Sequence, residues 1–209
     1  MRRDPRASDD FPRDVQELQA LFAPLREGQR IQAVPGAGLR VPLWILGSSL
    51  FGAQLAALLG LPYAFASHFA PAALGEALAI YKQKFEPSAQ LERPHAMAGV
   101  NVIAAETDDE ARRLFTTLQQ AFTDMHRGTR GLQKPPIDDI EAYWTPEEKH
   151  AASSMLACSI VGSRETVRSG LERFAAKTEA NELMVVTSVF DHEARKRSYE
   201  ILRELFPTG

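Results

Sequence analysis

Gly47, Ser48 and Ser49 close a short apolar run, and a helical pattern begins directly after them. Two hydroxyls, unpaired backbone N–H groups and the positive end of a helix would suit a phosphate. Gly52 would let a ligand approach the first helical turn with no side chain in the way. The same serines could instead only cap the helix. The pattern by itself leaves both readings open. His68 ends the next apolar run, "YAFASHF", and so falls at the same rim. A histidine there could donate to a ligand carbonyl or move a proton, or it could bond to backbone at a strand end. No other residue is put forward as a catalytic group.

Much other chemistry is not supported. There is no GxGxxG and no P-loop, so neither a dinucleotide fold nor an NTPase is indicated. No GxSxG and no Ser-His-Asp order appears. His95, His126 and His150 have no partner at ligand spacing and Cys158 stands alone, so no metal site is expected. Cys158 lies in an apolar run and reads as a small core residue. His192 reads as structural, in the first turn of a helix capped by Asp191. Tyr143 and Trp144 either cover a pocket or anchor a long loop.

The composition sets limits on what must position these residues. The chain has 209 residues, enough to bury a real core. Its net charge of −3 gives no basic field for nucleic acid. The single cysteine allows no internal disulfide and suits a reducing compartment. No apolar run approaches the roughly 20 residues that cross a bilayer, and the start lacks an apolar signal core. A cytoplasmic protein with no membrane association is expected.

Alternating elements frame the candidate site. Residues 1 to 12 read as a loop or frayed end, followed by a helix in "RDVQELQALFAPL". "VPLWILG", 41 to 47, is a continuous apolar run that suits a buried parallel strand. A helix over about 51 to 59 ends at "GLP". The strand 63 to 69 follows too soon for a hairpin, so the two strands should be parallel. A helix at 72 to 85 and a strand at 95 to 105 come next, then an amphipathic helix behind a Thr107 cap. Residues 127 to 150 break the alternation as a polar, proline-containing insertion. Ser163 reads as the N-cap of a further helix, 182 to 190 as the fourth strand, and "DHEARKRSYEILREL" as the closing helix. Together these imply an α/β fold with a parallel sheet and right-handed crossovers.

Four stretches carry a resemblance. "LGSSLFGAQLAALLGLPYAFASHFAP", "AGVNVIAAETDDEARRL", "MLACSIVGSRETVRSGLERFAAKT" and "NELMVVTSVFDHEARKRSYEILRE" resemble, in order, the bacterial luciferase-like flavin-dependent monooxygenases. They cover nearly all of residues 40 to 205. The resemblance implies a TIM barrel that uses reduced FMN and molecular oxygen on a small organic substrate. Electrons would come from NAD(P)H or from a partner flavin reductase. It implies that Ser48 and Ser49, with Gly47 and the backbone near Gly52, hold the flavin phosphate in the turn after the fifth strand. It also implies that Ala66 to Phe69 border the flavin ring or substrate, which brings Ser67 into the cofactor set. The insertion 127 to 150 would shape substrate access.

The family barrel has eight strands, whereas this sequence supplies four, matching the fifth to the eighth. The expectation is therefore one luciferase-like domain over 1 to 209, truncated at its amino terminus and forming half of a (β/α)8 barrel. Such a half would pair with its missing complement or form a homo-oligomer. The alternative is a non-catalytic half-barrel, a structural or interaction subunit or a gene remnant. Whether the isolated chain is an active enzyme is left open at this point.

Overall fold

The computed structural model describes residues 9–129 and 131–207. Residues 1–8 of the expected amino-terminal loop lie outside that range. Five parallel strands form one sheet among the described residues: β1 (Ile45–Gly47), β2 (Tyr63–Phe65), β3 (Ala96–Ala105), β4 (Ser159–Ser163) and β5 (Glu182–Val186). The helices are α1 (Phe11–Phe22), α2 (Leu50–Leu58), α3 (Leu74–Gln83), α4 (Asp108–His126), α5 (Pro146–Met155), α6 (Arg164–Thr178) and α7 (His192–Leu205).

β3 is the hub of the sheet. Its first residues pair with β2, its middle with β5 and its last five with β4. β1 pairs with β2 and β5 with β3, all in parallel. Side chains alternate across a strand, and the two faces of β3 meet different partners. Ala96 and Ala98 join Tyr63, Phe65, Leu61 and Tyr81 in a core built with α2 and α3. Val100, Val102 and Ala104 join Val167, Leu171, Ile201 and Leu205 of α6 and α7. Those residues define the outer, helix-covered face.

The inner face is different. Ile103 and Ala105 are covered by Ala111 and Leu114 of α4 and by Val189. At β1 and β5 this face is open: Leu46 is 70% exposed and Met184 is 52% exposed. A parallel sheet normally has both faces covered. One helix-covered face, a partly open inner face and a parallel sheet that does not close on itself among the described residues are the architecture of half a (β/α)8 barrel.

The strands are shorter than their apolar runs, for local reasons. Before β1, Leu43 exchanges both backbone hydrogen bonds with the Gln90 side-chain amide instead of with a strand. After β2 the chain turns at once, with Phe69 and Ala70 N–H donating back to Ala66. After β5, the Thr187 hydroxyl donates to the Val102 carbonyl and the Thr187 N–H donates to the Tyr199 hydroxyl, so side chains replace the ladder. Of the expected insertion, residue 130 lies outside the described range, and the described residues are irregular as far as Thr145, where a capping box starts α5. β4 follows it and was not legible as a strand in the sequence. The Thr107 and Asp191 caps form as the sequence indicates. Ser163 takes the N-cap position of α6 without a side-chain cap bond.

Candidate functional site

Two turns lie side by side at the carboxyl ends of β1 and β2. Gly47 is in register with Phe65, and the Ala66 N–H donates to the Gly47 carbonyl at 2.9 Å. Gly47-Ser48-Ser49 and Ala66-Ser67-His68 are therefore adjacent, at the end of the sheet where α/β folds place their ligands.

Ser49 is the N-cap residue of α2, yet its side chain makes no cap hydrogen bond. The capping reading of this serine is not what the structure uses. Ser49 is exposed and Ser48 half-buried. The first-turn N–H groups of a helix have no intrahelical partner, so α2 presents donors beside two hydroxyls. The turn itself is held from below: the Tyr63 hydroxyl donates to the Ser49 carbonyl at 3.1 Å. Burial pushes the Tyr63 phenol up to about 12, so it remains a donor throughout the physiological range.

Gly52 is buried, and a Cβ there would lie 3.5 Å from the Tyr63 ring and 3.8 Å from the Gly47 Cα. The space it leaves faces protein rather than an approaching ligand. Gly52 thus lets α2 seat closely on the strand ends, and only its backbone can serve a ligand.

Ser67 is fully buried and its hydroxyl donates to the Gly99 carbonyl at 2.5 Å. That bond ties the turn after β2 to β3, so Ser67 acts on the site by positioning its neighbour. His68 is half-buried and its ring lies against Gly99. A Cβ on Gly99 would overlap Nδ1 and sit 3.2 Å from Cε1. The His68 carbonyl accepts from Asn101 Nδ2 at 2.6 Å, and Asn101 also reaches the Ser159 hydroxyl. Nδ1 is buried and has no partner among the described residues.

Burial lowers the His68 pKa below its ordinary value. As pH falls through the ordinary histidine range near 6.5, the unfolded chain takes up the proton first and stability declines. The contribution is complete above that range and is lost toward the depressed folded value. The urea midpoint of the wild type should therefore drop more between pH 7.5 and pH 5 than that of His68→Asn. Parallel curves for the two proteins would contradict this.

Gly99 and Asn101 were not singled out from sequence. A glycine inside an apolar strand signals close approach, and an asparagine in "AGVNVIAA" is a lone buried polar group. Together they could have pointed to the His68 socket. Cys158 is half-buried against the core, and burial pushes its thiol up. His192 lies exposed in the first turn of α7, its Nδ1 2.8 Å from the Arg195 guanidinium. Tyr143 and Trp144 anchor the insertion: the Tyr143 hydroxyl donates to Asp124 at 2.6 Å, and Trp144 Nε1 donates to Glu141 at 3.2 Å. No helix among the described residues is long and apolar enough to cross a membrane.

The chain is thus an α/β protein built as a parallel half-barrel with a serine turn at its carboxyl rim, and comparison with known proteins narrows the class. The family model described as luciferase-like monooxygenase matches residues 13–181. The chain belongs to this family. It is 46% identical over 197 residues to a luciferase-like monooxygenase of Escherichia coli strain K12, covering 94% of this chain and 59% of that protein. Among solved structures, apo-MsnO8 superposes with a TM-score of 0.83 at 34% identity, covering 95% of this chain and 60% of the other. The oxygenating constituent of 3,6-diketocamphane monooxygenase from Pseudomonas putida, solved in complex with FMN, shares the fold with a TM-score of 0.52 at 18% identity. That likeness covers 85% of this chain and 52% of the other. The chain spans about 60% of the length of the relatives it matches.

Proposed function

We propose that this chain carries the phosphate-binding half of a flavin-dependent monooxygenase, in which reduced FMN and molecular oxygen oxidise a small organic substrate. The observation that carries this reading is the α2 start: a serine in the N-cap position with its hydroxyl uncommitted, a second serine beside it, and a helix end offering N–H groups. Ser48, Ser49 and the first-turn backbone would donate to the phosphate, with Gly47 and Gly52 keeping the turn tight. When bound, the flavin supplies the redox and oxygen chemistry. Its electrons would come from NAD(P)H or from a partner reductase.

The remaining residues bind, orient and shield. Ser67 and Asn101 fix the turn after β2 through Gly99 and the His68 carbonyl. We assign the neutral His68 proton to Nε2, because a buried unpaired N–H at Nδ1 would be the costlier arrangement. Nε2–H is then a donor at the rim, placed to hold an acceptor atom of ligand or substrate. Water exclusion requires the open inner face around Leu46 and Met184 to be covered. A pairing partner, either a second copy or a complementary half-barrel, would supply that cover.

Titrating the purified chain with FMN tests the reading. Saturable quenching of flavin fluorescence is expected. No quenching at high protein concentration would overturn it.

A further inference from the structure

β2 and β4 share one edge of β3, end to end. β2 pairs only as far as Ala98, β4 begins opposite Asn101, and β5 occupies the other edge from Met97 to Asn101. Gly99 and Val100 lie in the gap. The turn after β2 fills it: the Ser67 hydroxyl donates to the Gly99 carbonyl, and the His68 ring lies against Gly99. At the far side of the gap stands Asn101, whose side chain is buried. Its amide orientation is set by its neighbours. The group 2.6 Å from the His68 carbonyl oxygen must be the NH2, since a carbonyl only accepts. The same Nδ2 lies 3.3 Å from the hydroxyl of Ser159, the first residue of β4. One amide thus directs its two N–H groups at two different segments, the rim turn and β4.

β4 is where the insertion returns to the sheet. Only residues 156–158 separate it from α5. α5 is held by Arg127, at the end of α4, whose Nε and Nη2 donate to the two Glu148 oxygens at 2.7 Å each. Arg127 Nη2 also donates to the Tyr143 carbonyl. The Tyr143 hydroxyl donates in turn to the buried Asp124, and its ring lies 4.9 Å from the Arg127 guanidinium carbon and 5.3 Å from Lys134 Nζ. The insertion is therefore anchored on α4 at one end and meets the rim turn through the Asn101 amide at the other.

We propose that Asn101 is a positioning residue that couples the insertion to the His68 turn, so that the placement of α5 and β4 sets the placement of the His68 ring. A residue that merely satisfied the His68 carbonyl would leave that turn indifferent to the insertion. The bond to Ser159 makes the two segments one unit. This deepens the proposed function, and it rests on that reading only for what His68 Nε2–H would hold.

The test uses the full chain without flavin. Imidazole 15N spectra report the tautomer of His68, its signals identified by their loss in His68→Asn. Amide hydrogen exchange reports the turn at Phe69 and Ala70, whose N–H groups donate to the Ala66 carbonyl, with the Tyr63 amide of β2 as control. Arg127→Met releases α5 from α4, and Tyr143→Phe is a milder cut of the same anchor. Both should move the His68 signals and speed exchange at Phe69 and Ala70 at least about threefold, with Tyr63 unchanged. Ser159→Ala cuts the link at β4 while leaving the bond from Asn101 to His68. In that background the anchor variants should leave the His68 signals and both amides where they are. His68 signals that neither anchor variant moves, or that move equally with and without the Ser159 hydroxyl, would overturn the proposal. Tyr63 exchanging faster in step with Phe69 and Ala70 would also overturn it, since that is a loss of global stability. FMN quenching reads the serine turn and these spectra read the link, so each reading can fail alone.

Discussion

Replacing Ser48 and Ser49 together with alanine should weaken FMN binding by at least about a hundredfold while leaving the fold unchanged. Each hydroxyl would donate to a dianionic phosphate, and hydrogen bonds to a charged group contribute roughly 1.5–3 kcal/mol each. Two such losses correspond to about 3 kcal/mol or more, or about two decades in affinity. Stability should hardly change, because Ser49 makes no cap bond to lose. Fluorescence titration gives the affinity, and a urea midpoint gives the stability. A double variant that binds FMN as tightly as the wild type would remove these serines from the site. A double variant that loses stability instead would restore the capping role.

The second large effect is expected at Gly99→Ala. The added methyl would overlap His68 Nδ1, and the ring cannot move without disturbing a turn held by the Ser67 and Asn101 bonds. Overpacking of this kind costs about 1–3 kcal/mol. The cause can be isolated, because in a His68→Ala background the ring is gone and the methyl has room. Gly99→Ala should then cost under about 0.5 kcal/mol, and the difference is the coupling energy between the two positions. Urea denaturation of the four proteins measures it. Equal cost in both backgrounds would show that His68 does not occupy the Gly99 socket.

These two sites differ in how far the sequence reveals them. The serine turn was legible because it is local: an apolar run, three turn residues and a helical pattern are contiguous. The Thr107 and Asp191 caps were legible for the same reason. The His68 socket was not, because it joins residues 31 apart through register between β2 and β3. Gly99 and Asn101 carried a signal only in their type, small and polar inside an apolar strand. β4 was hidden in a similar way. Ser159–Ser163 is short and runs straight into a helix, and only the length of β3 gives it a partner. The strand ends were overestimated because Gln90, Thr187 and the turn at Ala66 satisfy backbone groups that an apolar run suggests should join the ladder. The role of Tyr143 depended on Asp124, 19 residues earlier and buried on α4, which no spacing rule connects to it.

The parallel half-barrel orders the rest. It places the serine turn and the His68 turn on one rim, and it leaves the inner face open at Leu46 and Met184. In the proposed function the α2 start binds the phosphate of a flavin. The most direct test compares FMN with riboflavin, which differ by that phosphate alone. Titrated against the same protein, FMN should bind at least about a hundredfold more tightly, and the advantage should vanish in Ser48→Ala/Ser49→Ala. Equal affinity of the wild type for the two flavins would contradict the account.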